Sequence, residues 1–167
     1  MPGSAGGPRR LKEMERTLVL LKPDALQRDL VGEIISRLER KGLKLVGIKM
    51  MQLPAELLDT HYSHLLGRSF YSEIRSFMRR TPVIACCWEG TDCVDTVRLL
   101  CGITKAREAA PGTIRGEFAM SVQTNLIHCS DSLETAKAEV ERFFKPEELF
   151  EYEDIMEAFL YSSSERE

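Results

Sequence analysis

The run Thr17-Leu-Val-Leu-Leu-Lys22, cut off at once by Pro23-Asp24, constrains this chain more than any other segment. It is too short for a helix, and its unbroken apolar character predicts a buried strand that ends on a lysine. Two more segments read as strands. Leu43 to Leu53 alternates loosely through Val46, Ile48 and Met50, and Pro82 to Trp88 is apolar up to Glu89-Gly90. Phe118 to Ile127 predicts a further strand or strand pair leading to His128.

Helical periodicity fills the intervals. Leu30, Val31, Ile34, Ile35 and Leu38 recur on one face, with Arg37, Glu39, Arg40 and Lys41 outside and Gly42 where a capping glycine belongs. Pro54 opens the next helix at its first turn. Ala55 to Leu66 and Ser72 to Arg80 read as two short helices joined around Gly67 to Tyr71, and Asp92 to Cys101 as another. A long loop from Gly102 to Gly116 follows; loops of that length tend to be functional. Leu133, Ala136, Val140, Phe143 and Phe144 mark the last amphipathic helix. Strands alternating with helices point to one sheet carrying helices. Short strands favour an α+β, ferredoxin-like antiparallel sheet (an α/β sandwich) over a doubly wound parallel one. The 167 residues suffice for one domain, expected over 15–161 between flexible tails at 1–14 and 162–167.

Composition excludes several classes. No apolar run approaches the roughly 20 residues of a membrane span. The net charge of −3, with basic and acidic residues interspersed, argues against a dedicated nucleic-acid binder but not against a local phosphate pocket. Five cysteines, an odd number with neither a disulfide framework nor paired zinc-ligand spacing, suit reduced thiols in a cytoplasmic protein. Met1 to Met14 has no hydrophobic core, so it resembles no secretory signal. Glycine-rich phosphate loops and a protein-kinase catalytic loop are missing. Nucleotide handling would have to rest on discrete side chains.

Several residues break their local pattern. His128, in Asn125-Leu-Ile-His-Cys-Ser-Asp-Ser132, follows an apolar run; alone it reads as a strand-end residue satisfied by Ser130 or Asp131, or as a nucleophile, since a neutral imidazole is available near pH 7. Arg98 lies at the edge of the arc formed by Val94, Val97, Leu100 and Cys101, either snorkelling outward or reaching into a cleft. Thr104 and Arg115, the latter in Pro111-Gly-Thr-Ile-Arg-Gly116, add polar groups near one loop. The flanking glycines would let the backbone approach a ligand, and two guanidiniums suit a phosphate chain. Lys22 can project over a pocket from its strand end or simply solubilise that end. Glu139, at the margin of the last helix's apolar stripe, is expected half-buried and in need of a partner, for which the His128 imidazole qualifies.

Taken in order, these segments closely resemble the nucleoside diphosphate kinase family. The match runs from about Glu15 to Tyr161 and includes Glu15-Arg-Thr-Leu18, Lys22-Pro-Asp24, Leu30-Val-Gly-Glu-Ile-Ile35, His61-Tyr62, Trp88-Glu-Gly90, Pro111 to Gly116, and Asn125 with His128, Ser130, Asp131 and Ser132. The resemblance implies a ferredoxin-like core, assembly as a homohexamer or alternatively a tetramer, and a ping-pong reaction in which His128 carries the γ-phosphoryl from a nucleoside triphosphate to a nucleoside diphosphate. It implies phosphate contacts from Tyr62, Arg98, Thr104 and Arg115, and sugar and phosphate contacts from Lys22 and Asn125. The base would stack between Phe70 and Val122 with broad specificity. Glu139 and Ser130 would support the histidine, and Mg²⁺ would arrive on the nucleotide phosphates with no protein ligand. Three departures stand out: Cys129 where glycine or alanine is usual, Leu66 where lysine is common, and Lys105-Ala106 in place of Asn-Pro.

Overall fold

The computed structural model describes residues 14–166. Residues 1–13 of the tail expected over 1–14 lie outside them. Four strands form one sheet: β1 (Glu15–Leu21), β2 (Lys44–Met51), β3 (Val83–Gly90) and β4 (Ile127–Cys129). Their order is β2-β3-β1-β4, and every neighbouring pair is antiparallel. With helices linking the strands, the first a short α1 (Pro23–Gln27) directly after β1, this is the ferredoxin-like arrangement.

Both faces of the sheet are covered, which is why β1 and β3 read as continuous apolar runs rather than alternating ones. On one face Val19, Leu21, Ile84, Cys86 and Trp88 pack against α2 (Val31–Arg40) and α5 (Cys93–Cys101). On the other, Leu18, Leu20, Ala85 and Cys87 meet α3 (Ala55–His61), α4 (Tyr71–Met78) and α7 (Leu133–Phe143). The predicted stop of α2 is correct: Gly42 adopts φ 95°, a left-handed turn open to glycine at little cost, and Leu43 N–H closes back on the Leu38 carbonyl.

Several expectations are corrected. Phe118 to Ile127 is not a strand. A five-residue helix α6 (Ile114–Phe118) ends there, Ser121 Oγ turns the chain by accepting from the Gln123 and Thr124 amides, and only Ile127–Cys129 pairs with β1. Leu126 takes φ 73°, and its N–H is held by Asp24 Oδ2 at 2.9 Å; apolar composition alone concealed this kink. The loop from Gly102 contains a 3₁₀ turn at Ala106–Glu108 before α6. Pro54 is the extended residue preceding α3 rather than part of its first turn. The helix expected to Leu66 ends at His61 and gives way to a 3₁₀ turn at Ser63–Leu65. The C-terminal segment adds short helices at Glu157–Leu160 and Ser163–Arg166.

Candidate active site

A cleft of about 1680 Å³ opens beside β4, between the α3–α4 hairpin and the loop that follows α5. His128 sits on its wall. Ile127 and Cys129 of β4 turn to the α5 side, and His128, paired opposite Leu20, turns to the other, facing α3 and α7. His128 Nε2 lies 3.0 Å from Glu139 Oε2, and Ser130 Oγ donates to that same oxygen at 2.6 Å. Glu139 is not half-buried, as its position on the stripe suggested, but only 5% exposed, because α7 lies directly against β1 and β4. Burial pushes its carboxyl up, yet the hydrogen bond and charge of His128, the Ser130 hydroxyl and His61 outweigh this and hold it at about 2 instead of the ordinary 4.5. An ionised carboxylate only accepts, so the His128 proton is on Nε2 and the Nδ1 lone pair is free.

Cations gather on the other side of the ring. Arg115 is buried, its Nη1 and Nη2 each donating at 2.6 Å, to the carbonyls of Gly102 and Ile127. Among the described residues no carboxylate pairs with it, and its Nε has no partner. A buried guanidinium satisfied only by carbonyls keeps its full charge for an anion. Arg98, on the exposed side of α5, lines the same cleft. Lys22 does project over the pocket: its Nζ donates to Asn125 Oδ1 at 2.6 Å and the Gln123 carbonyl at 3.2 Å. Burial first, then the Arg115 charge, pulls its ammonium down to about 8. Asn125, 1% exposed, ties the pieces together by donating to the carbonyls of Thr104 (3.0 Å) and Val122 (2.7 Å).

Thr104 and Tyr62 also line the cleft. Burial raises the Tyr62 phenol above its usual value, so it remains a proton donor. Phe70 and Val122 stand at the mouth, 46% and 50% exposed, with no polar atom to discriminate between flat rings. Every residue predicted for the site therefore faces the cleft, except Ser130, which lies buried behind Glu139.

The glycines near Arg115 also shape the loop itself. A Cβ on Gly116 would meet the Ala110 carbonyl oxygen at 2.1 Å, so this glycine lets the loop pack on itself, while Gly112 supplies a turn at φ 88°. Two residues escaped sequence reasoning in their roles. His61, quoted only within a motif, is buried with its ring 4.6 Å from that of His128 at 77°, and Arg142 lies 3.3 Å from His61 Nδ1. The one signal for Arg142 was its position one turn after Glu139, on the same helix face. Of the departures, Cys129 is half-buried beside Cys101, Leu66 is exposed, and Lys105 pairs with Glu108.

His61, His128 and Glu139 offer metal-ligating atoms within 4.8 Å of one another. Glu139 is already engaged by His128 and Ser130, and the rest of the phosphate side is cationic. This donor set suits a divalent ion carried on phosphates better than one held by the chain.

A ferredoxin-like domain with a carboxylate-anchored histidine facing buried cations defines a protein built to handle phosphorylated compounds. The nucleoside diphosphate kinase family model matches residues 15–149. Nucleoside diphosphate kinase of Parabacteroides distasonis is 53% identical over 152 residues, covering 91% of this chain and 99% of the relative. That of Staphylococcus aureus is 49% identical over 148 residues, covering 89% and 99%. Among solved structures, the halophilic nucleoside diphosphate kinase of Halobacterium salinarum in complex with CDP superposes with a TM-score of 0.87 at 42% identity, covering 90% of this chain and 100% of its own. A Babesia bovis family member gives 0.85 at 37%, covering 88% and 99%. The chain belongs to the nucleoside diphosphate kinase family.

Proposed function

We propose that this chain transfers the γ-phosphoryl of a nucleoside triphosphate to a nucleoside diphosphate in two steps through His128. The observation that carries the reading is the 3.0 Å contact of His128 Nε2 with the ionised Glu139, which leaves Nδ1 as the nucleophile. In the first step the Nδ1 lone pair attacks the γ-phosphorus and the bond to the β-bridging oxygen breaks, releasing the diphosphate. The ring gains positive charge as the N–P bond forms, and Glu139 balances it. Arg98, Arg115 and Lys22 neutralise the transferring oxygens, and Tyr62 and Thr104 donate to neighbouring phosphates. A second diphosphate then takes the group by the reverse path.

Lys22 and Asn125 would hold the sugar hydroxyl, and the base would stack between Phe70 and Val122. Two apolar walls open to solvent support broad base specificity. Mg²⁺ bound to the nucleotide phosphates would supply charge neutralisation and fold the phosphate chain. Self-association, as a homohexamer or alternatively a tetramer, is supported by the exposed Ile48 and Met50 on edge strand β2, at 50% and 64%. Sedimentation equilibrium distinguishes the two. A cytoplasmic location is supported by the five free cysteines; among the described residues no helix is long and apolar enough to cross a membrane.

The test is incubation with γ-labelled ATP and Mg²⁺. Wild type is expected to take an acid-labile, alkali-stable label, and His128→Ala none. Equal labelling of the two, or none in either, refutes the reading.

A further inference from the structure

Arg142 faces the same cleft as His128, yet the transfer described above makes no use of it. Its Nη1 lies 3.3 Å from His61 Nδ1. A guanidinium only donates, so that ring nitrogen accepts and the His61 proton sits on Nε2. This is an unexpected choice for the ring. Nε2 is buried with no hydrogen-bond partner, whereas Nδ1 lies 3.6 Å from Glu139 Oε1, the carboxylate oxygen that neither His128 nor Ser130 uses. Left to itself, the imidazole would place its proton on Nδ1, aim it at Glu139 and leave only a lone pair unpaired, a cheaper defect than an orphaned N–H.

The side chain of His61 is fully enclosed, wedged edge-to-face against the rings of His128, Tyr62 and Phe143. It has little room to swing away from Glu139. The ionisable groups facing it are His128, Glu139, Arg142 and His64. Burial first, then the charge of His128, pushes the His61 imidazole down to about 3, so near neutral pH it carries one proton and the only variable is which nitrogen holds it.

We propose that Arg142 is a positioning residue that holds His61 as the Nε2–H tautomer, so that Glu139 is kept for the His128 Nε2–H and the Ser130 hydroxyl. With the guanidinium removed, the His61 proton moves to Nδ1 and competes for the carboxylate. The Glu139 hold on His128 then weakens, and the His128 Nδ1 lone pair becomes a poorer nucleophile. The proposal rests on His128 as the phosphoryl carrier.

Two-bond ¹⁵N–¹H spectra of the full chain labelled at histidine read the tautomer directly, without nucleotide. Wild type is expected to show His61 protonated on Nε2, and Arg142→Leu on Nδ1. Single-turnover phosphohistidine formation should slow about ten-fold in Arg142→Leu with nucleotide affinity unchanged, and Arg142→Lys, which still donates, should restore both readouts. In a His61→Phe background, which keeps the aromatic wedge, Arg142→Leu should have no further effect on the rate. Protonation of wild-type His61 on Nδ1, an unchanged rate, or the same slowing in the His61→Phe background overturns the proposal; the last outcome means that Arg142 acts on the phosphates directly. Because the tautomer is read on unphosphorylated protein, its failure is separable from failure of the labelling experiment.

Discussion

Replacing Glu139 by Gln isolates the charge at the centre of the site. The amide has nearly the same size, so the enclosed slot between α7 and β4 stays filled and Ser130 retains a partner. Only the negative charge goes. The carboxyl is held at about 2 against an ordinary 4.5, which corresponds to about 3 kcal/mol in favour of the ionised form. His128 is the largest of the contributions that lower it, through both its hydrogen bond and its charge. A hydrogen bond to a charged group contributes about 1.5–3 kcal/mol. Because imidazolium character grows only as the N–P bond forms, this falls on the transition state rather than on nucleotide binding. Glu139→Gln is therefore expected to slow phosphohistidine formation by roughly 10- to 150-fold, with the nucleotide dissociation constant unchanged. Rapid-quench single turnovers with γ-labelled ATP measure the rate, and equilibrium titration of the His128→Ala protein against the His128→Ala, Glu139→Gln double variant measures binding without turnover. A slowing of less than three-fold, or a loss that appears in binding instead, refutes the argument that the carboxylate acts by balancing charge on the ring.

Two further outcomes follow from buried titrating groups. Cys129 is half-buried on the cleft wall, and the Cys101 thiol, then Arg115, His128 and Arg98, bring it down to about 6, whereas burial pushes Cys86 and Cys87 up to about 12. Iodoacetamide at pH 7 should alkylate Cys129 alone, at a rate slowed by bound nucleotide; peptide mass mapping that finds the label spread over several cysteines, or absent, contradicts this. Acid should weaken the fold in two stages. His61, at about 3 when folded against 6.5 unfolded, takes its proton first in the unfolded chain, so stability falls as pH drops below 6.5. Glu139 contributes stability that is present above about 4.5 and lost as pH falls toward 2. Urea melts of wild type should lose about 2 kcal/mol more between pH 7 and pH 5 than those of His61→Phe; equal losses would show that His61 titrates normally.

Much of the candidate site was legible because its residues violate local patterns. A lysine at the end of an apolar strand, an arginine at the edge of an apolar arc and a carboxylate on the margin of a stripe are each visible within a single element, and all three face the cleft. The resemblance to a family then supplied residues such as Phe70 and Val122, for which periodicity offers nothing. Illegible features were those set by partners distant in the chain. Leu126 kinks because Asp24 captures its amide, and nothing near Leu126 announces it.

By itself the sequence determined the first three strands, the longer helices, the antiparallel sheet that carries them, and the identity of the histidine that breaks an apolar run. These follow from hydrophobic periodicity and capping, which act over a few residues. Tertiary structure alone decided how deeply Glu139 is buried, which nitrogen of His128 is left free, and that His61 and Arg142 stand behind them. Those outcomes depend on hydrogen-bond geometry at about 3 Å between α3, β4 and α7, elements brought together only when the sheet and its helices pack.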